Sequence, residues 1–195
     1  MKSFLTRFGI FLYALILLQA SAYGLSEDEL KELYLQVAES AVDAFEPIWV
    51  DESDRIPNSG FYDFRQYPDW MDDPYATIII ISGNGLVQFC YAVLLNETDK
   101  DYFGQARIPR EVLREHAIQS LRWCCLTSSY VEHPYPYVPA TRKDFADGPY
   151  WRRQHSWRAD EVGWLTLAAS LLWNDLDEDT RKQVEAVLTG GATTE

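Results

Sequence analysis

Cysteine is scarce: three residues in 195, Cys90, Cys124 and Cys125, are too few to staple a fold, so a disulfide scaffold is excluded and a hydrophobic core must hold the chain. All three sit in apolar helical patterns, where a thiol behaves as a small hydrophobe. Buried free thiols are expected, with a Cys90–Cys124 bridge as the alternative. Basic residues are also in deficit, with 17 Lys and Arg against 30 Asp and Glu, a formal charge of −13 that disfavours nucleic acid and anionic membranes as partners. No serine nucleophile elbow, phosphate loop or dinucleotide fingerprint is visible. His133 and His155 with Asp144 or Asp147 match no compact metal spacing, so neither a metal nor another cofactor is expected. The neighbouring carboxylates Asp72 and Asp73, or Asp160 and Glu161, lack the opposed geometry that glycoside hydrolysis requires.

Lys2 and Arg7 precede an uncharged apolar run from Phe8 to Leu18, and Ala20-Ser21-Ala22 offers small residues at a cleavage site. That pattern reads as a signal peptide over residues 1–22, too short to span a bilayer. Residues 23–195 then form one exported domain with no membrane attachment after cleavage. It keeps 15 basic and 30 acidic residues, a charge of −15.

Ser26 followed by Glu29 predicts a capping box opening the first helix, with Leu25 stapled onto Leu30. Leu30, Leu33, Val37, Ala41 and Phe45 recur at helical spacing as its packed face, Glu32, Glu39 and Asp43 take the wet side, and Pro47 ends it. From Pro47 to Pro74 the chain is rich in Pro, Asp and aromatics without periodicity, which reads as a long ordered loop without strands. Tyr75 to Leu95 carries no charge. Ser82, Gly83, Asn84, Gly85 and Gln88 near its middle favour a helix enclosed by others over a membrane span, with Asn84, Gln88 and Tyr91 forming one polar stripe.

Pro109 opens a helix whose stripe is Val112, Leu113, Ala117, Leu121 and Cys124, opposed by Arg110, Glu111, Arg114 and Glu115. An uncharged helix follows over about 161–173, and Asp177 caps a final amphipathic helix through Leu188. Gly85–Asp99 aligns without gaps to Gly163–Asp177, pairing Leu94 with Leu172 and Asn96 with Asn174, each copy an enclosed helix, a short acidic turn and an amphipathic helix. The expected architecture is all-α: antiparallel helical hairpins in two layers, a solenoid or partial (α/α) toroid with long aromatic loops. In such an array the loops before Tyr75 and Glu161 emerge on one face.

The second of those loops carries Tyr130, His133, Tyr135, Tyr137, Tyr150, Trp151, His155 and Trp157 among Arg142, Lys143, Arg152, Arg153 and Arg158, a local charge of +2 within a domain otherwise −17. Aromatic faces stack on sugar rings and Arg forks grip carboxylates, so the expected partner is an acidic oligosaccharide or polysaccharide. His155 is the proton-transfer candidate, with Tyr135, Tyr137 and Tyr150 as alternatives. Asn84, Gln88, His133, Trp151, Arg152, Arg153, Trp157, Arg158 and Trp70 are the substrate-binding candidates, although Asn84 between two glycines equally suits a relieved helix kink.

The leader, the helix with Ser82-Gly83-Asn84-Gly85-Leu86, the His-Tyr-Arg loop and the Trp-rich helix at Trp164–Trp173 together resemble the secreted α/α-toroid carbohydrate-active enzymes, particularly uronate polysaccharide lyases of the heparinase II/III-like kind. The resemblance implies an N-terminal portion of a toroid. It also implies β-elimination, with His155 or a nearby Tyr as base or acid and Asn84, Arg152 and Arg153 on the carboxylate. The readings from other classes are a non-catalytic helical module that binds glycans or protein, and a glycoside hydrolase on the same scaffold.

Overall fold

The computed structural model of the chain describes residues 26–64, 76–128, 131 and 158–193, and the first of these makes the expected cap. Ser26 Oγ accepts the Glu29 N–H at 3.3 Å, and the Glu29 carboxylate accepts the Ser26 N–H at 2.8 Å and its hydroxyl at 2.7 Å. Helix α1 then runs Glu27–Phe45. Its buried stripe matches the expected one only in part, at Ala41 and Phe45. Ala38, Ala41 and Val42 are buried with Leu35 and Phe45 packed beside them, whereas Leu33 and Val37 are 49% and 61% exposed. The helix is turned so that its acidic side reaches a neighbouring turn. Lys100 pairs with Glu39, the Gly104 N–H donates to Glu39 at 3.3 Å, and the Gln105 N–H donates to Asp43 at 2.6 Å. Charge-assisted bonds to backbone N–H groups outweigh the burial of two more aliphatic side chains.

Past a 3₁₀ turn at Glu46–Ile48, strand β1, Trp49–Asp51, pairs antiparallel with β2, Gly60–Tyr62, in the register Trp49↔Tyr62, Val50↔Phe61 and Asp51↔Gly60. This corrects the reading of the region as strandless. Three residues are too few for an alternation to register, and the intervening loop is held by its own bonds: Arg55 and Ile56 N–H to Glu52 O at 2.8 Å, and Glu52 N–H to Ser59 O at 2.9 Å. Gly60 is required by contact, since a Cβ there would lie 2.3 Å from the Trp49 ring.

The uncharged stretch forms α2, Ala76–Glu97, which packs against α1, β2 and the two helices described next. Among the described residues no helix is long and apolar enough to cross a membrane. A second small ribbon, β3 at Tyr102–Phe103 with β4 at Ile108–Pro109, leads into α3, Arg110–Leu126. Its turn places Gly104 at φ +66°, a left-handed conformation that suits glycine. Leu113, Ala117, Leu121 and Cys124 are buried as expected, joined by Ser120, Trp123 and Cys125. Trp123 stacks on Phe61 with ring centroids 4.7 Å apart. Arg110 does not serve the wet side. Its guanidinium donates to Thr98 O at 2.8 Å, Lys100 O at 3.2 Å and Leu95 O, closing the carbonyl end of α2.

Helices α4, Arg158–Leu172, and α5, Glu178–Thr193, complete the described chain. Packing of α2 on α4 is parallel. A Cβ on Gly85 would lie 2.9 Å from the Trp164 Cβ, the Phe89 and Trp164 rings sit 5.6 Å apart, and farther along both helices Asn96 Nδ2 donates to Leu171 O at 3.3 Å. Because these contacts advance together, α2 and α4 start at the same end. Helix α3 packs on α2 and α4, and α5 on α4 and α3, so two helical hairpins lie side by side. The protein is mostly helical, with two two-stranded ribbons that an all-α description omits.

Cys90, Cys124 and Cys125 are thiols outside any disulfide, and burial pushes that of Cys90 up to about 11. Asp177 caps α5, its carboxylate accepting the Thr180 N–H at 2.6 Å. That bond, then the Thr180 hydroxyl, holds the Asp177 carboxyl below the usual aspartate value. A lowered folded value means the cap's stabilisation is whole above the unfolded aspartate range and is lost as pH falls through the folded one. Asp177→Ala is expected to cost about 1 kcal/mol at neutral pH, and the difference from wild type in urea midpoint should close on acidification into the carboxylate range.

Candidate functional site

The polar stripe expected on α2 exists, and it points inward. Asn84, Gln88 and Tyr91 are each fully buried. Asn84 meets the outer edge of β2 as a neighbouring strand would: its Oδ1 accepts the Tyr62 N–H at 2.8 Å and its Nδ2 donates to Tyr62 O at 3.1 Å. Ser120 Oγ on α3 donates to the same Oδ1 at 3.0 Å. Gln88 Nε2 donates to Ser120 Oγ at 2.8 Å and to Cys124 Sγ at 3.4 Å, while its Oε1 has no hydrogen-bond partner among the described residues. Both side chains lie in the interior. Through these bonds Asn84 ties the hairpin to two helices.

One helical turn farther along α2, groups from three elements converge on a carboxylate that no sequence pattern had marked. Glu46, its side chain 9% exposed, accepts the Tyr91 hydroxyl at 2.9 Å and the Tyr62 hydroxyl at 3.2 Å on Oε1. His116 Nδ1 lies 2.9 Å from Oε2. The imidazole stacks on Trp49, with centroids 4.1 Å apart and planes 14° from parallel. Burial first, followed by the Tyr91 phenol and then the Glu46 charge for Tyr62 and by the Glu46 charge for Tyr91, pushes both phenols far above the ordinary tyrosine range, so each stays a proton donor to the carboxylate.

A histidine steered by a buried carboxylate is the arrangement that prepares an imidazole for base catalysis. Here both carboxylate oxygens are occupied by groups from β2, α2 and α3, and the ring face is covered by Trp49. Such a cluster fastens the hairpin and the end of α1 to the helix pair. Nothing periodic announced it, because Glu46 and His116 are 70 residues apart. The available signals were a carboxylate immediately before Pro47 at a helix end and a histidine two turns into α3.

Of the remaining candidates, Trp70, His133, Tyr135, Tyr137, Tyr150, Trp151, Arg152, Arg153, His155 and Trp157 lie outside the described residues, and Arg158 opens α4 with its side chain also outside them. The helices that follow segments 65–75 and 129–157 in the sequence, α2 and α4, start at the same end. Among the described residues no group of three or more His, Cys, Asp or Glu side chains is placed to hold a metal ion. No protein family, curated protein or solved structure matches the chain.

Proposed function

We propose that the chain is an exported carbohydrate-active protein that takes an acidic, uronate-containing polysaccharide at the end from which α2 and α4 start, and cleaves it by β-elimination. The observation that carries the reading is the parallel packing of those two helices, evident from the Gly85–Trp164 contact and the Asn96–Leu171 bond. Two connectors that precede parallel neighbours finish at a common end. One of them holds a net positive charge in a strongly acidic chain.

In this reading His155, or one of Tyr135, Tyr137 and Tyr150, moves the proton beside the carboxylate, and Arg152 and Arg153 grip that carboxylate in bidentate fashion. Arg158, His133, Trp70, Trp151 and Trp157 bind the sugar chain. Asn84 and Gln88 leave the substrate-binding set. The two hairpins belong to a larger (α/α) toroid or solenoid whose opening lies at the shared end.

Incubating the purified protein with a panel of uronate polysaccharides and following the ultraviolet absorbance of the unsaturated product tests the chemistry. Turnover is expected, with His155→Ala slowing it about 10²–10⁴-fold if that residue transfers the proton. Silence across the panel would remove elimination from consideration. One observation favours a second reading, a non-catalytic glycan-binding module: the Asn84 side chain of α2 is engaged inside the fold with β2 and α3. Glycan binding that persists in His155→Ala, from a wild type without turnover, selects it.

A further inference from the structure

We propose that the outer face of α1, the stripe Leu30, Leu33, Tyr34 and Val37, is a docking surface for a cationic amphipathic helix. The proposal stands apart from the polysaccharide reading, because every residue it uses belongs to α1 or to the turn beside it. Among the described residues five large apolar side chains are exposed. Three of them, Leu33 at 49%, Tyr34 at 37% and Val37 at 61%, fall within five consecutive residues of α1. Leu30, half-buried, extends the row by a turn.

The stripe is held outward by the bonds that orient the helix. Glu39 and Asp43 accept backbone N–H groups of the turn after α2, while Ala38, Ala41 and Val42 face the core. Rolling α1 to bury Leu33 and Val37 would break those bonds, so the row is fixed before any partner arrives. Its apolar positions at i, i+3, i+4 and i+7 span about 10 Å, and a facing helix meets such a row with anchors at the same spacing.

Charge names the occupant. Helix α1 carries six carboxylates against Lys31, a net charge of −5. Lys31 is itself paired with Glu97 at 2.7 Å, and Lys100 of the neighbouring turn is paired with Glu39. Glu27 and Glu29 lie one turn before Leu30 and Leu33, at the edge of the stripe. A second copy of the chain would set one strongly acidic helix against another, and an anionic membrane would be repelled in the same way. A helix with aliphatic anchors on one face and Lys or Arg beside them matches both the stripe and its rim.

The test uses the full chain and a fluorescein-labelled synthetic peptide of about 18 residues, Leu and Lys in an amphipathic helical pattern, beside a scrambled peptide of the same composition. Anisotropy is expected to show binding of the first that weakens with salt, and binding of the second about tenfold weaker. Leu33→Gln with Val37→Gln places good helix formers at exposed positions, so the melting temperature should stay near wild type while binding weakens about tenfold. Glu27→Gln with Glu29→Gln keeps a capping-box side chain and is expected to weaken binding about threefold and flatten its salt dependence. Equal binding of the two peptides would reduce the attraction to the net charge of the chain, and full affinity in the folded Leu33→Gln, Val37→Gln variant would take the stripe out of it. Either result overturns the proposal. So does a wild type that ignores the amphipathic peptide, that sediments as a dimer dispersed by Leu33→Gln with Val37→Gln, or that binds zwitterionic vesicles in its place.

Discussion

Replacing Glu46 with alanine is expected to lower stability by about 3–5 kcal/mol, the range seen when one partner of a buried charged cluster is removed. The carboxylate is the single acceptor shared by Tyr62 of β2 and Tyr91 of α2, and it also binds His116 of α3. Without it, two phenols in fully buried side chains and an imidazole nitrogen lose their partner, and each orphaned polar group costs about 1–3 kcal/mol. Tyr91→Phe removes one donor and leaves the others served, so its expected cost is only about 1 kcal/mol. A double-mutant cycle of Glu46→Ala with Tyr91→Phe should show strong coupling in urea unfolding. Additive losses, or a Glu46→Ala variant within 1 kcal/mol of wild type, would show that the cluster is not what fastens the hairpin.

The contrast between Glu46 and the residues foreseen from sequence shows where sequence reasoning reaches. Ser26, Asp177 and the Leu113–Ala117–Leu121 stripe were legible because their partners lie within three or four residues on one helix. The Asn84–Gln88–Tyr91 stripe was legible as a face but not as a destination. Spacing defines which residues look the same way, not whether they look at solvent or at a second layer. Leu33 and Val37 failed for the converse reason: they share an apolar arc with Ala41, but the bonds from Glu39 and Asp43 to the turn after α2 decide which part of the arc is covered. The β1–β2 hairpin was lost to brevity. The connector proposed to carry the chemistry stands out by composition alone, since local charge excess and aromatic density need no partner to be visible.

Asn84→Ala should cost about 3 kcal/mol, and the way activity follows that loss separates a fold residue from a substrate ligand. The side-chain amide makes both bonds that a third strand would supply to Tyr62 and accepts a third from Ser120. Alanine leaves a buried N–H and C=O on β2 and a buried hydroxyl on α3 without those partners, each worth about 1–3 kcal/mol before relaxation. Aspartate is expected to be worse than alanine. It can still accept from Tyr62 N–H and Ser120, but it turns an oxygen toward Tyr62 O and buries a charge in the interior. If Asn84 serves only the fold, glycan binding by Asn84→Ala returns to wild-type affinity at low temperature, where the variant is fully folded by circular dichroism. An affinity that stays low in a folded Asn84→Ala protein would mean that the amide communicates with bound sugar after all, and the interior hydrogen bonds to β2 would then be the link between the hairpin and the shared end of α2 and α4.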